Sequence, residues 1–517
     1  MQSGTAKTVF LSMLILIVGK ALGLFRDRMQ AISFGADTPE SVAFLQASVL
    51  PRTFLDIMFA AAFSASFIPI FNAYIETKNK KAAFDLASLF ISIVFVLTAF
   101  VAVVGIVFAG PVFNLSLGQV NLAPETEALG AELLRIMFPL ITLSGLALAI
   151  AGVLQSLGEF RIPAAMSIVS NGIILIYYFF FLDRFGVHGL AAAFLIGWGA
   201  QGLIQIPFLV KHRFRFRFRI NLRDPGIRQI GALALPVLAS SWVLPINLLV
   251  NIRAAAPLYG GEFGVPAIGF ASSLYTIISG VFVLSVANVI FPKMSRQSAA
   301  NDDEALRGTI NETLRVLFFF LLPLTIGMMV LSEPLVLLIL GGGLFGEQAI
   351  TITATALFYY SPGILGYGLF IILARACYAK QDGRTPLIAA LVAIIVNLVL
   401  SFALAPIMEI GGPALAGAVG QTLGAAVLVF SLTKKGLLVR KAGTLSDLAK
   451  MAGLAAVMLM VVYAATRLSS DMNIILQVLI PTAVGGVFYL GGAVAVRIKE
   501  ATDFARGCWD RVVGFRG

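Results

Sequence analysis

The chain has 517 residues, of which 59% are hydrophobic and only 12% are charged, and its mean hydropathy is +0.95. A soluble domain carries roughly 25% charged residues, so the composition excludes a soluble globular protein and indicates a chain that crosses a membrane many times. The net charge of +11 could suggest a nucleic-acid partner, but its distribution along the chain points to membrane topology instead.

Each crossing of a bilayer takes roughly 20 apolar residues. Backbone polar groups cannot stay unpaired in lipid, so the crossings are predicted to be helices. Hydropathy predicts about fourteen of them, at residues 8–33, 41–74, 84–112, 128–156, 162–183, 188–211, 227–257, 265–293, 309–340, 348–378, 386–407, 412–433, 447–467 and 474–497. The N-terminus resembles a signal peptide, but it lacks a small-residue cleavage site and continues into charged sequence, so we interpret it as a retained first span.

The first two predicted spans combine high hydrophobicity with several charges. A charge in the hydrocarbon core costs about 2.5–3.5 kcal/mol, so clustered cations are expected to face protein or a wet cavity. A further arginine, Arg253, lies near the outer end of the seventh span. It corresponds to position 30, close to Arg28, when the two halves of the chain are compared. We predict six substrate-binding residues: Lys20, Arg26, Arg28, Arg52, Asp56 and Arg253.

These charged residues also have structural interpretations. Lys20 could extend its amine to the membrane surface, Arg26 and Arg28 could pair with Asp27, and Arg52 could pair with Asp56 one helical turn away. If they line a cavity, their net positive charge selects anions, and guanidinium groups bind phosphate through paired hydrogen bonds. The substrate is therefore predicted to be an anion such as a phosphate or pyrophosphate.

The connections between spans alternate between basic and nearly uncharged. Lysine and arginine concentrate in every second connection and in the C-terminal tail, whereas GADTPES, GGGLFGEQ and their counterparts hold almost none. The positive-inside rule places the basic set and both termini in the cytoplasm. Within this set, KHRFRFRFRIN at 211–221 could stack on nucleic-acid bases or lie against anionic head groups; we interpret it as a basic loop that fixes topology.

Three pairs of prolines share one spacing of 223 residues: Pro69 with Pro292, Pro139 with Pro362, and Pro163 with Pro386. A repeated spacing of this kind predicts two copies of one unit. We expect an all-α polytopic fold with two parallel six-helix repeats around a central cavity, suited to alternating access, and two extra C-terminal helices. The predicted domains are 1–221, 222–440 and 441–517.

The sequence contains few cysteines and histidines that could act in catalysis or bind a metal. Cys377 and Cys508, like His188 and His212, are isolated in sequence and show no metal-ligand spacing. The connections assigned outside are too short to build the acidic site of a glycosyltransferase. We predict neither an enzyme nor a bound metal or cofactor.

Several segments resemble the MurJ (MviN) lipid II flippase family, of the multidrug/oligosaccharidyl-lipid/polysaccharide exporter superfamily. They are LGLFRDR at 22–28, AFSASFIPIFNAY at 62–74, RIPAAMSIVSN at 161–171, LSVANVIFPKMSR at 284–296 and CYAKQDGRTP at 377–386. The resemblance implies a bacterial inner-membrane protein that moves undecaprenyl-pyrophosphate-linked peptidoglycan precursor to the outer leaflet. It maps the family's cavity cations onto Lys20 and Arg26. The implied partners are a polyprenyl-pyrophosphate-linked saccharide and membrane lipids, with no nucleic acid, and the implied functional form is a monomer.

The sequence departs from the family pattern at several charged positions. Val42 stands where the family often has Asp, and Ser273 and Thr276 stand in place of its charged ADRLxE element. For the cation site that the family implies, the relevant spans offer Asn247 and Asn397 but no carboxylate. Two alternatives therefore stay open: a flippase for another polyprenyl-pyrophosphate glycan, and a drug exporter of the same superfamily.

Overall fold

The computed structural model describes residues 2–56, 66–117, 123–241, 243–438 and 442–502, and the regular elements within these ranges are helices. The predicted all-α membrane fold is confirmed. In this described part, ten helices are long and apolar enough to cross a membrane, or eleven if a pair bent by 47° counts as one span. The predicted total of fourteen is not confirmed.

The chain forms two compact units. The first comprises Met1–Leu249 with the short segments Tyr259–Pro266 and Gly342–Phe345, and the second comprises the remainder. The predicted domain boundaries, which follow the repeat and not compactness, stay a prediction.

The first unit is built from eleven described helices and the start of a twelfth: α1 (Gln2–Phe34), α2 (Pro39–Asp56), α3 (Ile68–Thr77), α4 (Lys80–Val107), α5 (Ala109–Leu117), α6 (Pro124–Met137), α7 (Leu140–Ser156), α8 (Arg161–Phe180), α9 (Leu182–Leu203), α10 (Ile206–Lys211), α11 (Pro225–Ser241) and α12 (Val243–Ala255). Its core includes Phe67 stacked on Phe90, with ring centroids 4.5 Å apart. A Cβ at Gly152 of α7 would lie 3.3 Å from the Phe67 ring, so this glycine permits the close approach.

The second unit continues from the end of α12 with nine helices: α13 (Gly264–Ala299), α14 (Asp303–Val330), α15 (Ser332–Leu340), α16 (Glu347–Tyr360), α17 (Gly363–Ala379), α18 (Arg384–Met408), α19 (Gly411–Lys434), α20 (Ala442–Leu468) and α21 (Ile474–Ala495). The last two are the extra helices predicted from sequence. They pack against α14 and α15 around Phe319, Met451 and Tyr489.

Helix boundaries recur at the spacing that the prolines predicted. The helices α4, α5, α6 and α7 begin and end 223 residues before α14, α15, α16 and α17. The caps recur as well: Asn79 accepts a hydrogen bond from the Ala82 amide, and Asp302 accepts one from the Ala305 amide. Pro139 and Pro362 each stand at the break between two helices, because proline cannot donate the hydrogen bond that would continue the first helix.

Backbone conformation repeats even where the residue type differs. Positions with a left-handed φ occur in three pairs 223 residues apart: Gly158 (86°) with Gln381 (58°), Gly186 (54°) with Glu409 (49°), and Arg213 (61°) with Gly436 (66°). The two halves therefore share backbone features that their residue types alone do not reveal.

Candidate functional site

The charged N-terminal helix α1 packs closely against α8 along a stripe of small residues. A Cβ at Gly19 would lie 3.1 Å from the Ser167 Cβ, and one at Gly23 would lie 3.5 Å from the Asn171 side chain. The Asn171 amide donates to the Gly19 carbonyl at 3.2 Å. Small residues four apart allow this kind of helix contact in a membrane.

Arg26 is the next residue on this stripe and is only 8% exposed. Its Nη2 lies 2.6 Å from Asp27 Oδ1, and its Nη1 donates to Asn171 Oδ1 at 3.0 Å. The guanidinium also lies over the Phe194 ring of α9, 5.4 Å from its centroid. The Arg26–Asp27 pair is neutral as a whole, so its charges alone do not make it an anion trap.

The other predicted site residues lie in different surroundings. Lys20 is exposed on α1, and Arg28 and Arg52 are half-buried on α1 and α2. Asp56 ends α2, and its side chain lies outside the described residues. Arg253 is exposed and belongs to the second unit.

The second unit holds a buried network of which the sequence singled out only Asn397. Ser401 Oγ lies 3.1 Å from both Asn251 Oδ1 and Asn397 Oδ1, and Asn251 Nδ2 donates to the Tyr360 hydroxyl at 2.8 Å. Because the hydroxyl has one proton, Ser401 donates to one amide oxygen at a time.

The 223-residue spacing of the repeat is the sequence feature from which this network could have been predicted. Asn251 is the counterpart of Arg28, and Ser401 is the counterpart of Tyr178, which is buried near Arg26 and Asp27. The same region of each half therefore carries polar side chains, charged in the first and neutral in the second. The network includes no carboxylate, and the described residues hold no cluster of three or more His, Cys, Asp or Glu that could bind a metal. These residues do not supply a charged ligand set for the cation that the family implies.

A contact between an acidic side chain and a histidine or lysine at the ends of the helices also repeats. Glu159 Oε1 lies 3.5 Å from His212 Nε2, and its counterpart Asp382 pairs with Lys435, the counterpart of His212. Burial alone would raise the pKa of the Asp382 carboxyl, but hydrogen bonds from Lys435 and Thr385 lower it to about 2. The pair joins the loop before α18 to the end of α19.

Comparison with known proteins decides the family. The model of the family described as "Lipid II flippase MurJ" matches residues 30–482. The chain belongs to the MurJ family of lipid II flippases. The resemblance predicted from sequence is confirmed, and family membership together with the apolar helices makes the chain a multi-pass protein of the inner membrane.

Individual MurJ relatives cover most of the chain. The probable lipid II flippase MurJ of Vibrio cholerae is 28% identical over 453 residues, which are 86% of this chain and 85% of the relative. The lipid II flippase MurJ of Burkholderia cenocepacia is 26% identical over 448 residues, 86% of each chain.

Solved structures confirm the fold. A lipid II flippase MurJ in an inward closed conformation matches with a TM-score of 0.78 at 23% identity, over 94% of this chain and 99% of that one. An inward-facing multidrug resistance MATE family transporter matches with a TM-score of 0.69 at 16% identity, over 82% of this chain and 98% of that one. At these identities the likeness concerns the fold alone.

Proposed function

We propose that this protein moves lipid II, the undecaprenyl-pyrophosphate-linked peptidoglycan precursor, from the inner to the outer leaflet of the cytoplasmic membrane by alternating access. The observation that carries the proposal is the match of the MurJ family model to residues 30–482. The internal repeat supports it, because paired repeats are the usual framework of alternating access. With both termini in the cytoplasm, the basic connections lie on the side where the precursor starts.

We assign the pyrophosphate to the predicted cationic residues and give Arg26 a separate role. Arg26 holds Asp27 and Asn171, so we assign it to positioning α1 against α8. Lys20, Arg28, Arg52 and Arg253 supply the positive charge, with Asp56 orienting Arg52. A pyrophosphate that leaves water is stabilised by such cations, and arginine adds a bidentate geometry that lysine lacks.

The test combines complementation with a direct assay. A cell depleted of its own lipid II flippase should regain growth and show lipid II at the outer leaflet when this protein is expressed. Arg52→Ala and Arg253→Ala should reduce both readouts strongly at normal protein level, and lysine at either position should restore only part of the activity. Arg384→Ala, at an exposed position outside the predicted site, is the matched control and should stay active.

Two results would contradict the proposal in different ways. A well-expressed wild-type protein that leaves lipid II in the inner leaflet would point to another polyprenyl-pyrophosphate glycan as the cargo. Full activity of both alanine variants would be compatible with lipid II transport but would show that the pyrophosphate binds at other residues. The drug-exporter alternative predicts cavity carboxylates for cationic drugs, and the charge of the predicted site has the opposite sign.

A further inference from the structure

The segment after α10 has two chemically distinct faces. Residues 213–222, named here the Arg–Phe segment, carry arginine at 215, 217 and 219 and apolar residues at 214, 216, 218 and 220, and residues 214–221 lie outside regular helices and strands. The amides of Arg217 and Arg219 both donate to serines of α4, which is the two-residue alternation of an extended chain. Successive side chains of an extended chain point to opposite sides. One side of this stretch is therefore basic and the other is apolar.

The Arg–Phe segment is fastened along α4. The Arg217 amide donates to Ser88 Oγ at 3.4 Å, and the Arg219 amide donates to Ser92 Oγ at 3.1 Å. Two residues of extended chain span about 6.6 Å and four residues of helix span about 6 Å, so the two amides match the two hydroxyls in register.

Aromatic contacts follow the same register. Phe214 packs edge-on against Phe84, with ring centroids 5.2 Å apart, and Phe218 lies 6.4 Å from Phe95 further along α4. The segment thus runs in the same direction as α4, starting near the helix's lysine-rich beginning. Ser92 lies about 18 Å along the helix axis from Lys80, at 1.5 Å per residue.

This side of α4 has the character of a lipid-facing surface. The helix is one of the candidate membrane spans, and on this side Phe95 and Val103 are 40% and 58% exposed. The segment therefore lies where α4 passes from its basic end into its most apolar part, which is where a membrane interface is expected.

The repeat shows how the other half treats the corresponding surface of α14. Arg315, the counterpart of Ser92, binds Asp447 of α20 and Glu500 beyond α21. Phe318, the counterpart of Phe95, packs into the core that those extra helices form. In the second unit two helices cover this surface, whereas in the first unit the Arg–Phe segment lies on it and leaves Phe95 partly exposed.

The segment presents both charge and apolar area outward. Arg215, Arg217 and Arg219 are exposed, and none of them forms an ion pair with an acidic residue within the described part of the chain. Exposed apolar side chains alternate with them: Phe216, Phe218 and Ile220. A phospholipid interface satisfies both, because acyl chains cover the apolar side chains and head-group phosphates pair with the guanidinium groups.

We propose that the Arg–Phe segment is a binding site for anionic phospholipids of the cytoplasmic leaflet. The arginines hold the head-group phosphates, Phe216 and the exposed part of Phe218 enter the acyl region, and Ser88 and Ser92 fix the segment at the required depth. A nucleic acid is disfavoured as the occupant, since base stacking needs open aromatic faces and two of the three phenylalanines already contact α4.

The test uses the full-length protein in nanodiscs of equimolar phosphatidylglycerol and phosphatidylcholine. Native mass spectrometry of the protein after its release from the nanodiscs counts the phosphatidylglycerol and phosphatidylcholine molecules that stay bound. Wild type should retain phosphatidylglycerol preferentially, and the triple variant R215Q/R217Q/R219Q should bind it about a hundredfold more weakly, as expected for three basic residues at an anionic surface. The triple variant R215K/R217K/R219K keeps the charge and the topology and should stay within about tenfold of wild type.

Two further variants control for charge and folding. K293Q/R296Q/R384Q removes three exposed basic residues elsewhere and should retain phosphatidylglycerol like wild type. F216S/F218S keeps every charge and should lose both lipids, with a monodisperse elution profile showing that it is folded.

The proposal is overturned if the segment glutamine triple retains as much phosphatidylglycerol as wild type, or if the control triple loses as much. It is also overturned if R215Q/R217Q/R219Q retains phosphatidylglycerol and loses only the binding of a single-stranded oligonucleotide. The same holds if a short-chain polyprenyl diphosphate displaces phosphatidylglycerol from the wild-type protein at equal concentration. The last result would make the segment an entry point for the transported lipid.

Discussion

At the scale of single residues, Arg26 is a buried cation whose charge Asp27 balances. Replacing Asp27 by Asn removes the counter-charge and leaves the guanidinium buried, which costs about 3–5 kcal/mol when one partner of a buried pair is lost. We expect D27N to lower the thermal unfolding temperature in detergent strongly, and the double variant R26Q/D27N to recover much of the loss. A D27N protein as stable as wild type would show that the pair contributes little to the fold.

Asp382 gives the protein an acid-sensitive contact outside the membrane spans. Its folded-state pKa of about 2 lies below the ordinary value of about 3.9, so its contribution to stability is present above about pH 4 and is lost as pH falls towards 2. We expect D382N to unfold at a lower temperature than wild type at neutral pH, and the difference to shrink across that window. E76Q, which removes an exposed carboxylate, is the control, and a difference that stays constant with pH would contradict the assignment.

At the scale of elements, the kink at Gly186 near the start of α9 depends on backbone freedom. Its φ of 54° and ψ of −147° fall in a region that side chains with a Cβ rarely adopt. A Cβ there would meet no atom within 4 Å, so the cost of Gly186→Ala is conformational, about 1–3 kcal/mol. Gly172→Ala, also without a neighbour within 4 Å but inside the regular helix α8, should instead stabilise by up to about 1 kcal/mol.

Glu409, the counterpart of Gly186 in the second half, allows the same strain to be tested by the opposite substitution. Glu409 has nearly the same backbone angles, so glycine there should relieve strain and raise the unfolding temperature. If both G186A and E409G left stability unchanged, strain at these kinks would not matter energetically.

Arg315 of α14 connects the two extra helices to the rest of the second unit. Its Nε lies 2.7 Å from Glu500 Oε1 and its Nη2 lies 2.6 Å from Asp447 Oδ2, and hydrogen bonds to charged groups contribute about 1.5–3 kcal/mol each. Arg315→Ala should therefore accelerate hydrogen exchange in α20 and α21 and leave α16 to α19 unaffected. Lys450→Ala, which breaks a looser 3.9 Å contact with Asp447, should change exchange little, and equal effects of the two variants would contradict this role.

At the scale of the whole molecule, local signals predicted the repeat and the helices. Three proline pairs with one spacing predicted the repeat, and the pair Pro139 and Pro362 marks helix breaks in the structure because proline interrupts a helix through its own covalent geometry. Runs of apolar residues located the helices because their length is set by the bilayer. The all-α membrane fold and the repeat could therefore be predicted without knowledge of tertiary contacts, whereas the predicted total of fourteen spans is not confirmed.

The candidate site could not be predicted in the same way, because its contacts join distant residues. Arg26 meets Asn171 across 145 positions of sequence, and Asn251 meets Ser401 across 150. Only the spacing of Gly19 and Gly23 hinted locally that α1 has a close neighbour. The same limit applies to Arg315, whose partners lie 132 and 185 residues away.

The paired left-handed backbone positions also record the history of the chain. In each pair one half carries glycine and the other a larger residue, which lies in the second half at Gln381 and Glu409 but in the first half at Arg213. The simplest ancestor is a single copy with glycine at all three places, duplicated before either half diverged. Since then each copy has exchanged residues independently while its backbone stayed the same, so the common form can be reconstructed more fully from the two halves together than from either alone.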